Sequence, residues 1–226
     1  KIFTTCQQEP KGMAVIDVKS RKEIKMVPIK GGRAGGMDPQ GKYFMVSASK
    51  SVHFFDSQTA ELVKTIKVPG GGGNFTCLKD GSKCYVGLRK ANAVGVIDMA
   101  KLELMKTIET GPDANRLYLN PGNSRYGLFA NEAGKSDIVS IIDTQLDVKV
   151  KDIWTGLGPH NVAFDPDGKF AVISTKKENV ATLVDTGSAD PNDWDVITTD
   201  LDSGIQNNGV RWVPSPAALK KALAQN

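Results

Sequence analysis

The stretch Gly158-Pro159-His160-Asn161-Val162-Ala163-Phe164-Asp165-Pro166-Asp167-Gly168-Lys169-Phe170-Ala171-Val172-Ile173-Ser174, followed by Thr182-Leu183-Val184-Asp185, decides the fold. Two apolar runs flank a Pro-Asp-Gly-Lys element. Proline presets its own φ and glycine accepts a positive one, so this element reads as the turn of a β-hairpin. The run 182–185 then reads as a third strand that closes on an aspartate.

The same order recurs along the rest of the chain. Apolar runs also close on aspartate at Ala14-Val15-Ile16-Asp17, His53-Phe54-Phe55-Asp56, Gly95-Val96-Ile97-Asp98 and Ser140-Ile141-Ile142-Asp143. Successive aspartates are 39, 42, 45 and 42 residues apart. Weaker hairpin turns stand at Pro39-Gln40-Gly41-Lys42, Lys79-Asp80-Gly81-Ser82 and Pro121-Gly122-Asn123-Ser124, and the pattern decays at Pro214-Ser215-Pro216. A fourth strand follows each aspartate, as in Val63-Lys64-Thr65-Ile66-Lys67-Val68 and Met105-Lys106-Thr107-Ile108-Glu109-Thr110. Four short antiparallel strands per period of about forty residues is the pattern of a β-propeller blade.

The third strand separates this from a β-sandwich. The two residues before each aspartate are apolar, and adjacent strand residues point to opposite faces, so both faces are apolar. A blade pressed between two neighbours needs that, whereas a two-layer sandwich alternates apolar with polar. The expected architecture is all-β: about five four-stranded antiparallel propeller blades over residues 1–216, then a short helical tail over 217–226, where alanine, leucine and lysine are good helix formers.

The chain resembles the YVTN family of β-propellers and, more distantly, the haem d1 propeller of cytochrome-type nitrite reductases. The residues that carry the resemblance are the strand ends of Val-Ile-Asp type, Thr65-Ile66, Thr107-Ile108, Gly111-Pro112, Gly158-Pro159 and the Asp80-Gly81 hairpin with Cys84-Tyr85-Val86 behind it. The resemblance implies a prokaryotic protein working outside the cytoplasm, in the periplasm or beyond the cell. It specifies a fold more than a chemistry. Lys1-Ile2-Phe3-Thr4-Thr5-Cys6 aligns with the second strand of a blade and Gly209-Val210-Arg211-Trp212-Val213-Pro214 with a first, so one blade completed by both ends would close a ring of five. Rings of the resembled family more often hold seven or eight blades, and on that reading the chain is part of a larger ring.

Composition bounds the function. Of 226 residues 40% are hydrophobic, enough for a sizeable core, and no apolar run approaches the length of a helical membrane span. The net charge is +4, with Lys19, Arg21, Lys22, Lys25, Lys30 and Arg33 clustered in the first unit. A nucleic-acid partner would use such a cluster, yet aromatic residues for base stacking are absent there, so a solvated face is the expectation. A two-residue turn at Asp80-Gly81 would set Cys77 opposite Cys84 and allow a disulfide, leaving Cys6 over. The chain has no Cys-x-x-Cys-His, Gly-x-Ser-x-Gly, P-loop, Rossmann fingerprint or His-Glu-x-x-His.

In a propeller, the segments entering the innermost strands converge at one mouth of the central channel. Counting back from the hairpins places Arg33, Gly73, Asn115, His160 and Asn208 there, with Ala34, Asn74, Arg116, Asn161 and Gly209 one residue on. The ligand-binding candidates are therefore Arg33, Asn74, Asn115, Arg116, His160, Asn161 and Asn208. Arginines, amides and one histidine around a funnel suit a small polar or anionic ligand. A wet channel that holds only ordered water would look the same. His160 is the candidate for proton or ligand chemistry, and His53, on a strand, is expected to be a hydrogen-bonded structural residue. No metal set is evident, since Asp190, Asn192, Asp193 and Asp195 lack the EF-hand spacing.

The expected function is a non-catalytic scaffold that presents a polar channel mouth to a protein or small ligand, with no cofactor. The alternative is a propeller domain of a redox enzyme holding haem near His160, and a third is nucleic-acid binding by the basic first unit. That kind of haem domain needs more blades and further histidines than the two found here.

Overall fold

The computed structural model describes residues 1–202, apart from 133, 135 and 179. Five antiparallel sheets follow one another along the chain, each a meander in sequence order. The first contains β1 (Ile2–Cys6), β2 (Gly12–Asp17) and β3 (Lys22–Pro28). The second contains β4 (Ala34–Met37), β5 (Tyr43–Ser47), β6 (Ser51–Asp56) and β7 (Leu62–Lys67). The third contains β8 (Phe75–Cys77), β9 (Lys83–Leu88), β10 (Ala93–Asp98) and β11 (Glu103–Glu109). The fourth contains β12 (Ala114–Leu119), β13 (Tyr126–Asn131), β14 (Ile138–Asp143) and β15 (Val148–Trp154). The fifth contains β16 (Pro159–Phe164), β17 (Phe170–Thr175), β18 (Val180–Asp185) and β19 (Asp195–Asp202). This is a β-propeller of four-stranded blades, the first represented by three strands among the described residues. The first strand proposed at 209–214, the helix at 217–226 and Asn208 lie outside them.

The core lies between the sheets. Met13, Val15, Phe44 and Phe55 join the first and second sheets, and Met45, Phe54, Val86 and Ile97 the second and third. Tyr85, Val96, Phe129 and Ile142 continue the series between third and fourth, and Ile141, Ile173, Val184 and Trp194 between fourth and fifth. The paired apolar residues of the third strands explain this layering. Phe54 and Phe55, Val96 and Ile97, and Ile141 and Ile142 are buried on both faces. Ile16 and Leu183, in the first and last described sheets, are only half-buried.

The repeated aspartates work at the turn that follows them. Asp56 Oδ1 accepts from the amides of Gln58 and Thr59, Asp98 Oδ1 from Ala100 and Lys101, and Asp143 Oδ1 from Gln145 and Leu146. A carboxylate at the strand end thus satisfies donors that the tight turn leaves without a ladder partner. The hairpin turns share one geometry. Gly41, Gly81 and Gly168 have φ of 67°, 71° and 71°, and each donates its amide back to the residue three positions earlier, Asp38, Leu78 or Asp165. The expected two-residue turn at Asp80-Gly81 is therefore corrected to a four-residue loop, because glycine occupies the left-handed position after a proline or lysine start. The longer loop still sets Cys77 opposite Cys84, and the two form a disulfide across β8 and β9.

Candidate functional site

The starts of the first strands and the starts of the loops after the second strands meet at one end of the sheets, because each meander returns there. They enclose a cavity of about 330 Å³. Every sheet contributes: Thr5 and Gln7 from the first, Arg33 from the second, Asn74 and Arg89 from the third, Asn115 and Glu132 from the fourth, His160 from the fifth. Backbone crowding at this end explains its glycines. A Cβ on Gly87 would lie 2.2 Å from the Asn115 carbonyl oxygen, and one on Gly73 would lie 2.5 Å from the Gly87 Cα. The amides of Gly70 to Gly73 all donate within the protein, so this run brings chains together and leaves no amide nest for a ligand.

Glu132 is the hub. Its Oε2 accepts from Arg89 Nη1 at 2.7 Å and from Asn115 Nδ2 at 2.7 Å. Its Oε1 faces His160 Nε2 at 3.1 Å and also accepts from Lys176 Nζ. Burial pushes the carboxyl up, but hydrogen bonds from His160, Lys176 and Arg89 win and hold it well below the usual carboxylate range. Arg89 also binds Asp113. The Asn74 amide donates to Asn115 Oδ1 at 3.0 Å, which extends the network across the third and fourth sheets. On the fifth sheet, the Asn161 amide lies 2.8 Å from His160 Nδ1, so both ring nitrogens of His160 are engaged.

The cations at the mouth outnumber the carboxylates. Arg33, Arg89 and Lys176 stand against Glu132 and Asp113, and among the described residues no carboxylate pairs with Arg33. A side cavity of about 310 Å³ shares Arg33, Gly72 and Arg89 with the mouth and adds Lys90. The positive surplus sits on Arg33 and Lys90, at the solvent side of a saturated polar network.

Four sequence-predicted residues line the mouth: Arg33, Asn74, Asn115 and His160. Asn161 does not line it, but orients His160 and accepts from the Tyr118 hydroxyl at 2.6 Å. Arg116 is a correction. Register shifts between Ala114 and Arg116 in β12, and its side chain opens on a separate cleft, because neighbours on a strand point to opposite faces. Sequence reasoning missed Gln7, Arg89, Glu132 and Lys176. Each is the first residue after a second strand, so the register of the repeat contained the signal.

The haem that the distant resemblance implies does not fit this mouth. Ala34 is the one apolar side chain in its described lining, whereas a planar macrocycle needs apolar walls. Both nitrogens of its histidine are already occupied. His53 is structural: its ring nitrogens meet Ser51 and Thr65 at 3.0 and 2.9 Å, and burial pushes its pKa down. The acidic loop is internally bonded, with Asp190 accepting from Asn192 and Asp193 from Ser188. Among the described residues no three His, Cys, Asp or Glu side chains form a metal-holding group.

No family model matches the chain, and neither does any curated protein. Solved structures do. A chain of hydrazine synthase from Kuenenia stuttgartiensis aligns with a TM-score of 0.63 at 24% identity, covering 77% of this chain and 52% of that one. A candidate 6-phosphogluconolactonase from Bacteroides fragilis aligns with a TM-score of 0.65 at 19% identity, covering 85% of this chain and 65% of that one. The chain thus spans about half the length of the first and about two thirds of the second. At these identities the likeness is one of fold, and the class it defines is the β-propeller.

Proposed function

We propose that this propeller is a non-catalytic binding scaffold that holds a small polar anion at the channel mouth, with Arg33 as its principal contact. The observation that carries the reading is the contrast between two arginines. Arg89 is 12% exposed and spent on Glu132 and Asp113, while Arg33 is exposed at the same cavity with no carboxylate partner among the described residues. A guanidinium so placed pairs bidentately with carboxylate or phosphate, and the amides around it supply hydrogen bonds without competing charge. The non-catalytic reading is supported by the lining: its one described hydroxyl, Thr5 Oγ1, donates to the Arg33 carbonyl at 3.2 Å. The Cys77–Cys84 disulfide supports an oxidising compartment, the periplasm or cell exterior of a prokaryote, in keeping with the YVTN-like repeats.

The rival readings have less support. A redox function would need the haem that the mouth does not suit. Nucleic-acid binding would need one basic face, but Lys19, Arg21 and Lys22 lie at the opposite end of β3 from Lys30 and Arg33, and Lys25 pairs with Glu61. Among the described residues no helix is long and apolar enough to cross a membrane.

Calorimetric titration with citrate, gluconate and inorganic phosphate tests the reading. At least one of these anions should bind, and Arg33→Ala should weaken it by about tenfold or more, the worth of one charge-assisted contact. Equal binding by the double variant Arg33→Ala, His160→Ala would overturn it.

A further inference from the structure

Arg116 lies in a cleft of about 330 Å³ built from the innermost strands of three successive sheets. Thr76 of β8 borders one side and Val162 and Phe164 of β16 the other, with Leu119 and Pro121 at the end. Arg116 and Tyr118 share a face of β12, and the guanidinium carbon stands 5.2 Å from the Tyr118 ring centroid. The Tyr118 hydroxyl donates to Asn161 Oδ1 at 2.6 Å and stands near the Arg116 guanidinium, so the tyrosine helps to hold the arginine in place beside the cleft. Among the described residues no carboxylate lines the cleft and none pairs with Arg116.

A cleft of this size that sets apolar side chains beside one fixed charge has the make-up of a small-molecule site. A single arginine balances a single negative charge, and a second one would be set against aliphatic and aromatic walls at a desolvation cost. We propose that this cleft is a second binding site, distinct from the mouth, for a small monocarboxylic acid with a flat apolar body. Its carboxylate pairs with Arg116, and its body packs between Phe164, Val162 and Leu119. The mouth differs in chemistry, since its described lining is polar on all sides, with Arg33 set among amides and other polar side chains.

Phenylacetate and its uncharged amide are the probes. Phenylacetate should bind saturably, shifting the backbone NMR resonances of Arg116, Leu119 and Phe164, and phenylacetamide should bind about tenfold more weakly or less. Arg116→Gln should erase the preference for acid over amide, while Lys106→Gln, on the outermost strand of the third sheet, should keep it. Arg116 is exposed, so the variant is expected to fold, and an unchanged unfolding midpoint checks this. Absence of saturable phenylacetate binding, shifts confined to the mouth, or an acid preference that survives in Arg116→Gln would each overturn the proposal.

Discussion

Arg89 and Glu132 bridge the third and fourth sheets, with Nη1 2.7 Å from Oε2 and side chains 12% and 9% exposed. The pair belongs to a network that His160 and Lys176 extend to the fifth sheet. Three blades are therefore tied by one carboxylate at the mouth, and the shape of the candidate site depends on it.

Removing that carboxylate takes the shared acceptor from four donors and leaves Arg89 with Asp113 alone. Glu132→Ala should destabilise the protein by about 3 kcal/mol, the scale for breaking a buried ion pair from one side. Glu132→Gln should cost less, since the amide oxygen still accepts two of the four donors. Urea unfolding of both variants measures this, and an Ala variant as stable as the parent would refute the hub.

Acid should weaken the same contact. The folded-state pKa of Glu132 is depressed below its ordinary 4.5, so its contribution is complete above that pH and is lost as pH falls further toward the folded value. Stability should decline below about pH 4.5, more steeply in the parent than in Glu132→Gln. Parallel pH dependences in the two proteins would contradict the assignment.

The cross-strand disulfide makes a countable prediction. Unfolded without reductant, the chain should expose one thiol, Cys6, and with reductant all three. Replacing Cys77 and Cys84 together by serine should lower stability by about 2 kcal/mol, as expected for a short closed loop. Three reactive thiols before reduction would remove the bridge and the argument for an oxidising compartment.

The repeated aspartates should differ in weight. Asp143 is 3% exposed on its side chain and also accepts two bonds from Arg125, whereas Asp98 caps an exposed turn. Asp143→Ala should cost about 2 kcal/mol and more than Asp98→Ala. Thermal unfolding of the pair decides, and the reverse order would mean that the cap matters less than supposed.

The blades were legible in the sequence because their signal is local. Phe54-Phe55-Asp56 and Ile141-Ile142-Asp143 state a strand buried on both faces and the turn that ends it, and the chain obeys. The site was legible only in part. Arg33, Asn74, Asn115 and His160 were found by counting from hairpins. Arg116 was misplaced because a bulge in β12 shifts the register by one, and one residue in a strand means the opposite face. Glu132 and Arg89 carry no motif of their own. Their partners are 28 to 44 residues away in sequence for Glu132 with His160, Arg89 and Lys176, and only the closing of the sheets brings them together. The aspartate turns that announce the fold sit at the far end of each blade, away from the mouth.

The most direct test of the central claim is an NMR titration of the labelled protein with citrate, gluconate and inorganic phosphate. Saturable shifts centred on Arg33, Gly72, Asn74 and His160, abolished in Arg33→Ala, are the predicted result. Shifts that avoid these residues, or none with any of the three anions, would contradict an anion site at the mouth.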